Sequence, residues 1–344
     1  MPHPILKEFS RKRVLSYARA LPEEGHMGPL FFPVLSTQEL NFEYWQDLNL
    51  INVSASLQAW NSEAQIGSRE GAAKVSGEIP PIKRKIMLDE RNMLALKREG
   101  AGDVDMVRSE LYNDIDNMIN AVYTRIEALR MTALALGTIA LNENGVILNV
   151  NYGVPGAQQD VLAGNDRWSE AATRDIIGNL QTWTDTVEDA TGVRPTRALS
   201  SNQVTALMLS DQTIRDMIWG PTNDNRPVTM QEINRLLQTM DLPQIATYNR
   251  RYRTQAEDGT FTTQRFFPAN RITLLPPTKL GDTLMGPTAE ALLDDEVEAR
   301  EVSGIYASVY HEGEPPIIWT KAAATAIPTF PAADQVFQAQ VFDI

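Results

Sequence analysis

The sequence predicts an α+β fold, and three observations carry that expectation. A stretch of 34 residues, 103–136, contains no Gly or Pro and repeats apolar residues about every 3.6 positions, the period of a helix. Runs that alternate apolar and polar side chains, the period of a half-buried strand, lie on both sides of it. Asn144-Gly145 and Asp258-Gly259 sit between such runs as hairpin turns.

Composition bounds the rest. At roughly 150 residues per domain, 344 residues correspond to about two domains. Apolar residues make up 43% and charged residues 22%, near globular averages. The net charge of −13 argues against a dedicated nucleic-acid binder, which accumulates Lys and Arg to displace phosphate counterions. The absence of cysteine excludes disulfides, thiolate zinc sites, iron–sulfur clusters and cysteine nucleophiles. Only His3, His26 and His311 are available for imidazole chemistry. No run reaches 18 apolar residues, so no membrane partner is expected. The basic start, with Lys7, Arg11, Lys12, Arg13 and Arg19, is followed by no apolar segment of a secretory signal, so a soluble intracellular protein is expected.

Taken in order, residues 1–50 show no sustained periodicity and are broken by Pro22, Gly25, Gly28, Pro29 and Pro33. They nevertheless carry Leu30, Phe31, Phe32, Phe42, Tyr44 and Trp45, which an irregular segment cannot easily bury on itself; the expectation is an arm lying extended on another surface, of the same or of a different subunit. Residues 53–60 alternate as a strand and 82–88 can return along them, giving a long two-stranded projection. Between Arg69 and Arg98 the net charge is +4, with Arg69, Lys74, Lys83, Arg84 and Lys85 prominent. The helix of 103–136 opens on Asp103 and Asp105 and ends at Gly137, in keeping with the helix dipole and the usual C-terminal stop.

Residues 138–150 read as a hairpin, and a second helix is expected over 166–190. Short helices are expected at 201–209 and 211–219, and another from Thr229, whose spacing to Glu232 fits a capping box. Residues 244–276 return to strand character. Strands at 305–310 and 316–321, then alternation over 336–342, close the chain. Residues 290–314 carry a net charge of −7, with Asp294, Asp295, Glu296 and Glu298 clustered.

No motif of catalysis appears. P-loop, Gly-x-Gly-x-x-Gly, Gly-x-Ser-x-Gly and His-Glu-x-x-His patterns are all missing. The acidic run lacks the alternating ligands and central Gly of a calcium loop and reads as a solvated or interface-facing surface. His311 and Glu312 are adjacent on a strand and so point to opposite faces. Met87, Met93, Met106, Met118 and Met131 read as core or interface filler. Lys83-Arg84-Lys85 suits nucleic acid or, equally, an acidic protein face, against the plainer reading of a solvated charge run. No catalytic residue, cofactor or metal is expected. Segregated charge of both signs favours attraction between copies.

The order of elements carries a resemblance. Its local carriers are Gly77-Glu78-Ile79-Pro80-Pro81-Ile82-Lys83, then Tyr248 through Asp258-Gly259-Thr260 to Arg265-Phe266-Phe267-Pro268-Ala269-Asn270. Leu274-Leu275-Pro276 leading to Gly286-Pro287-Thr288-Ala289-Glu290 is the most distinctive. With these, nearly the whole chain resembles the major capsid proteins of tailed bacteriophages with the Hong Kong 97-type fold, and among them the lambda-like capsid protein E family.

The resemblance implies an N-terminal arm (1–52), an extended loop (53–92), a peripheral domain (93–155 and 291–344) built on a spine helix, and an axial domain (156–290). Its implied function is an icosahedral shell of hexamers and pentamers around double-stranded DNA, assembled in the host bacterial cytoplasm. The implied partners are further copies of the chain, a decoration or cement protein, a portal and packaged DNA on the inner face. The arm begins at Met1, which implies a separate scaffolding protein. Residues 220–227 are a candidate axis-facing loop. The candidate inter-subunit contacts are Phe31, Phe32, Trp45, Trp60, Arg69, Lys74, Lys83, Arg84, Lys85, Asp294, Asp295, Glu296 and Glu298. An encapsulin-like nanocompartment shares the fold and is the first alternative; an α/β enzyme without recognisable motif is the second.

Overall fold

The stretch without Gly or Pro is helical from Asp103 to Leu136 and stops at Gly137, whose φ of 66° suits a residue without a Cβ. The computed structural model describes residues 9–23, 25–47, 72–91, 93, 103–143, 145–221, 226–256, 258–293 and 303–343. In chain order these form α1 (Arg11–Ala20), α2 (Gly28–Phe31), β1 (Val34–Ser36), β2 (Asn41–Asp47), β3 (Ala72–Glu78), β4 (Pro81–Leu88), α3 (Asp103–Leu136), β5 (Thr138–Glu143), β6 (Val146–Asn151) and β7 (Gln159–Val161). They continue as α4 (Ile176–Thr191), β8 (Arg197–Ser200), α5 (Asn202–Leu209), α6 (Gln212–Trp219), α7 (Met230–Thr239), β9 (Gln244–Thr247), β10 (Arg251–Gln255), β11 (Phe261–Arg265) and β12 (Arg271–Leu275). Last come β13 (Thr283–Gly286), α8 (Ala289–Leu292), β14 (Tyr306–Gly313), β15 (Pro316–Pro328) and β16 (Phe337–Gln340).

Two sheets organise the chain. In the first, β15 pairs antiparallel with β14 and β13 along one edge and with β4 along the other, and β1 adds to β13 in parallel. In the second the order is β7-β16-β12-β8-β9, with α4 to α7 packed against it. The helix α3 joins the cores. Leu111, Ile115, Ile119, Val122 and Ile126 pack with apolar residues of α1, β14 and β15, and from Ala128 onward its residues enter a second cluster beneath β5 and β6. The stripe expected from the sequence is therefore inward from Leu111 to Ala133, whereas Leu136, at the very end, is partly exposed.

Five expectations are corrected. Residues 11–20 are a helix on their own chain, not an irregular arm. Its inward residues Val14, Leu15 and Ala18 form a stripe too short to register against Arg11, Lys12, Arg13 and Arg19. The strand at 81–88 pairs with β15, and the described two-stranded ribbon is made by β2 and β3; residues 53–60 lie outside the described residues.

The second helix starts at Ile176, not at 166. Asp175 caps it by accepting from Gly178 N at 2.9 Å, while Trp168 is buried in the preceding turn and donates its backbone N–H to Val341 O at 2.9 Å. The last strand, β16, lies in the second sheet between β12 and β7, away from the rest of 291–344. Conversely β13, inside 156–290, belongs to the first sheet.

The remaining elements follow local chemistry. Thr229 Oγ1 and Glu232 close a full capping box at the start of α7. Trp168, Trp183 and Phe337 stack with centroids 5.8 and 5.3 Å apart, and each buried aromatic contributes about 1.5–3 kcal/mol through the area it removes from water.

Candidate inter-subunit contact surface

The β2–β3 ribbon has two faces because strand residues alternate. Phe42, Val75 and Gln46 point inward and are buried, and Phe42 lies directly opposite Gly77, where an added Cβ would sit 2.9 Å from the Phe42 ring. Tyr44 accepts the Phe330 backbone N–H at 3.2 Å, and burial pushes its phenol up to about 12. On the other face Trp45 is 62% exposed, directly opposite Lys74. The Lys74 ammonium lies 5.9 Å from the Trp45 ring centroid and 2.8 Å from Glu43 Oε1. The ribbon is thus anchored to its own core on one side and presents an aromatic flanked by charge on the other.

Lys83, Arg84 and Lys85 divide between the two faces of β4. Lys85 sits 4.3 Å over the Trp319 ring, and Lys83 Nζ is 2.8 Å from Glu290 Oε1. Lys321, opposite Lys85 in the ladder, donates to the same Glu290 oxygen at 2.7 Å. Glu290 therefore neutralises two ammoniums that would otherwise repel across the strands. Burial pushes its carboxyl up, but the hydrogen bonds from Lys321 and Lys83 outweigh that and bring it down to about 2. A carboxyl lowered on folding stabilises above its ordinary range, and that stabilisation is lost as pH falls through about 2. Glu290→Gln is expected to cost about 1 kcal/mol at neutral pH after allowing for solvent screening. In acid titrations of stability, the variant and the wild type should converge as the pH approaches 2; a gap that persists there would show that the carboxylate is not the source.

Phe31 and Phe32 are corrected from contact residues to core. Both are buried, at 4% and 0% exposed, and Phe32 meets Phe330 edge-on at 5.4 Å. The proline- and glycine-broken segment around them docks on its own chain through a short turn that places both rings inward. Trp60, Arg69, Asp294, Asp295, Glu296 and Glu298 lie outside the described residues.

A buried ionic network, which sequence reasoning missed, ties residues 23–28 to α3. Glu127 and Arg130, both 0% exposed, lie one turn apart. Glu127 accepts from Met27 N and Gly28 N at 3.1 Å and from the Tyr248 hydroxyl at 2.8 Å. Burial first, and then this carboxylate, push the Tyr248 phenol far up, so it remains a donor. Arg130 donates to Thr283 Oγ1 at 2.7 Å and to Glu23 Oε1 at 2.5 Å, and His26 Nδ1 is 3.2 Å from the same Glu23 oxygen. Donor atoms of Glu23, His26 and Glu127 lie within 4.8 Å of one another, but Arg130 already supplies the positive charge among them. The available signal was a helix apolar on all sides from 126 to 135, within which any charge must be paired. Among the described residues no helix is long and apolar enough to cross a membrane.

Comparisons with known proteins complete the picture. The family described as phage major capsid protein E matches residues 47–341. Among solved structures, a protein described as a prophage capsid protein, from Escherichia coli CFT073, superposes with a TM-score of 0.64 at 14% identity, covering 96% of this chain and 99% of that one. A phage-related protein from Bordetella bronchiseptica RB50 superposes with a TM-score of 0.54 at 12% identity, covering 96% of each chain. At these identities the likeness is one of fold. No curated protein sequence matches the chain.

Proposed function

Because this chain belongs to the phage major capsid protein E family, and so is a shell-forming major capsid protein of a bacteriophage virion with the Hong Kong 97-type fold, we propose how its copies close the shell. Hexamers and pentamers of the subunit form an icosahedral wall around double-stranded DNA. The first sheet and α3 act as the peripheral domain, and the second sheet with α4 to α7 acts as the axial domain; of the expected axis-facing loop at 220–227, residues 222–225 lie outside the described residues. The β2–β3 ribbon turns its exposed face, with Trp45 and Lys74, to a neighbouring subunit. Assembly takes place in the host cytoplasm on a separate scaffolding protein, around a portal, and a decoration protein binds the finished shell. The role is structural, and we read the chain as having no catalytic activity.

The observation that carries this reading is the β2–β3 ribbon, which buries one face in its own core and leaves Trp45 beside Lys74 on the other. Exposed aromatics such as Trp are enriched at protein interfaces, where polar and charged neighbours like Lys74 belong to the rim. Multivalency makes weak pairwise contacts sufficient, since each added subunit meets several neighbours at high effective concentration. Net charge of −13 per copy binds packaged DNA weakly, which suits a container that must release it.

Electron microscopy of the protein expressed with the products of its neighbouring genes tests this. The wild type is expected to form closed shells. Trp45→Ala is expected to lower their yield at least about tenfold while leaving folded subunits, since a truncated interface Trp costs about 2 kcal/mol or more. Only dispersed wild-type monomers, or unchanged yield from the variant, would count against the arrangement.

A further inference from the structure

The β10–β11 hairpin has one face that the fold uses and one that it does not. Directly opposed residues of an antiparallel pair share a face. Tyr252 pairs with Gln264 and Thr254 with Thr262, and this side is accounted for: Tyr252 packs on Phe266, centroids 4.8 Å apart, and donates to Gln264 Oε1 at 2.8 Å. The other side brings together Arg251 opposite Arg265, Arg253 opposite Thr263, and Gln255 opposite Phe261.

That second side is cationic and, among the described residues, without counter-charge. Arg253 lies 5.3 Å from the ring of Phe261, which is 56% exposed, and Arg265 donates to the neutral side chain of Asn249. Arg84 of β4 extends the surface by donating to Gln255 Oε1 at 3.3 Å. Among the described residues, no carboxylate pairs with Arg251, Arg253 or Arg265. Two guanidiniums directly opposed across a strand pair repel, and an anion arriving from outside offsets that repulsion. In a chain of net charge −13, the exposed Arg84, Arg251 and Arg253 with the half-buried Arg265 on one face are the exception to the surrounding field.

A matching anionic feature stands at the far end of the first sheet. The hairpin of β14 and β15 is exposed from Tyr310 to its turn, and there Glu312 and Glu314 form no ion pair among the described residues. Residues 303–320 contain no Lys or Arg.

We propose that the arginine face of β10–β11 on one copy receives the acidic tip of the β14–β15 hairpin, Glu312 and Glu314, from a second copy of this chain. The inference rests on the shell reading, since it needs copies that meet. The contact is heterologous: the two surfaces differ, so each copy keeps one of each free for the next neighbour and the contact propagates into a ring. The guanidinium fork matches a carboxylate in two-point geometry, and Arg with an exposed Phe is a composition found at the centre of protein interfaces. Charge sets the register of such a contact and steers encounter more than it adds affinity.

A charge swap tests it. Arg251→Glu with Arg253→Glu in one chain, and Glu312→Arg with Glu314→Arg in another, are each expected to reduce shell yield about tenfold or more, read by sedimentation and electron microscopy. Circular dichroism and thermal melts should show folded subunits. All four substitutions in one chain are expected to restore most of the yield. The milder Arg251→Gln with Arg253→Gln should give an intermediate loss and shells less sensitive to salt.

Wild-type yield from the charge-reversed and the neutral variants alike, or no recovery in the combined chain, overturns the pairing. Normal shells whose arginine variant no longer retains a short DNA duplex would identify a phosphate backbone as the occupant and also overturn it. Failure of the wild type itself to form shells would overturn the shell reading, and this contact with it, so the two failures are distinguishable.

Discussion

Replacing Arg130 with methionine is expected to lower the melting temperature by about 10 °C, because removing one partner of a buried ion pair costs about 3–5 kcal/mol. The guanidinium is 0% exposed and lies between Glu23, 2.5 Å away, and Glu127, 3.6 Å away. Methionine fills much of its volume, so the loss is electrostatic and not a cavity. Glu127 would keep its hydrogen bonds from Met27, Gly28 and Tyr248 but lose the cation beside it. The consequence reaches beyond stability. Residues 23–28 are held to α3 by this network, so their release would free the segment that carries Phe31 and Phe32 into the core. Adding Glu23→Gln and Glu127→Gln to Arg130→Met should recover most of the loss, since an ion network exchanged for neutral groups of similar size is often near neutral. Thermal denaturation of the single and triple variants decides it. A single-variant drop below about 2 °C would mean that water already solvates these charges.

Gly281→Ala is expected to cost about 3 kcal/mol or more, an overpacking effect at the upper end of its usual range. An added Cβ would overlap the Thr329 carbonyl oxygen and come within 2.9 Å of Pro331 Cδ. The obstacle is backbone and cannot swing aside. Thr329 N donates to Asp282 O at 2.7 Å, Asp282 N donates to Thr329 Oγ1 at 3.1 Å, and Ala332 N donates to Leu280 O at 3.1 Å. These bonds hold the point where the chain leaves β15 for β16, that is, where it passes from the first sheet to the second. Gly156→Ala is the matched control: nothing lies within 4 Å of its Cβ position, and the change should stay within about 0.5 kcal/mol. Denaturant midpoints of the two variants make the comparison, and equal midpoints would show that the junction yields.

Local chemistry explains why much of the architecture was legible before any coordinates. The span of α3 follows from uninterrupted helix formers closed by Gly137, and the capping box of α7 follows from Thr229 and Glu232. Both signals lie within a few residues of the element they define. Pairing was harder to read. Ile82–Leu88 has strand character whatever it pairs with, and only the packed chain shows that its partner is β15, more than two hundred residues away. The sequence expectation for α4 starts too early because Ala172, four residues before Ile176, continues the helical spacing, although Asp175 provides the cap.

The contact surface divides in the same way. Trp45 and Lys74 read as outward candidates and are exposed opposite one another. Phe31 and Phe32 read identically in sequence and are core, because burial depends on what the rest of the chain brings against them. Composition, periodicity and motif content alone determined an α+β chain of segregated charge with no catalytic motif, and the resemblance to capsid proteins added what such a chain builds. It took the packed chain to decide which aromatics remain outward, that Glu127 and Arg130 meet inside, and that the arginines of β10 and β11 share a face without counter-charge among the described residues. The physical reason is range: helix periods, caps and turns are set by neighbours in sequence, whereas burial and charge pairing are set by neighbours in space.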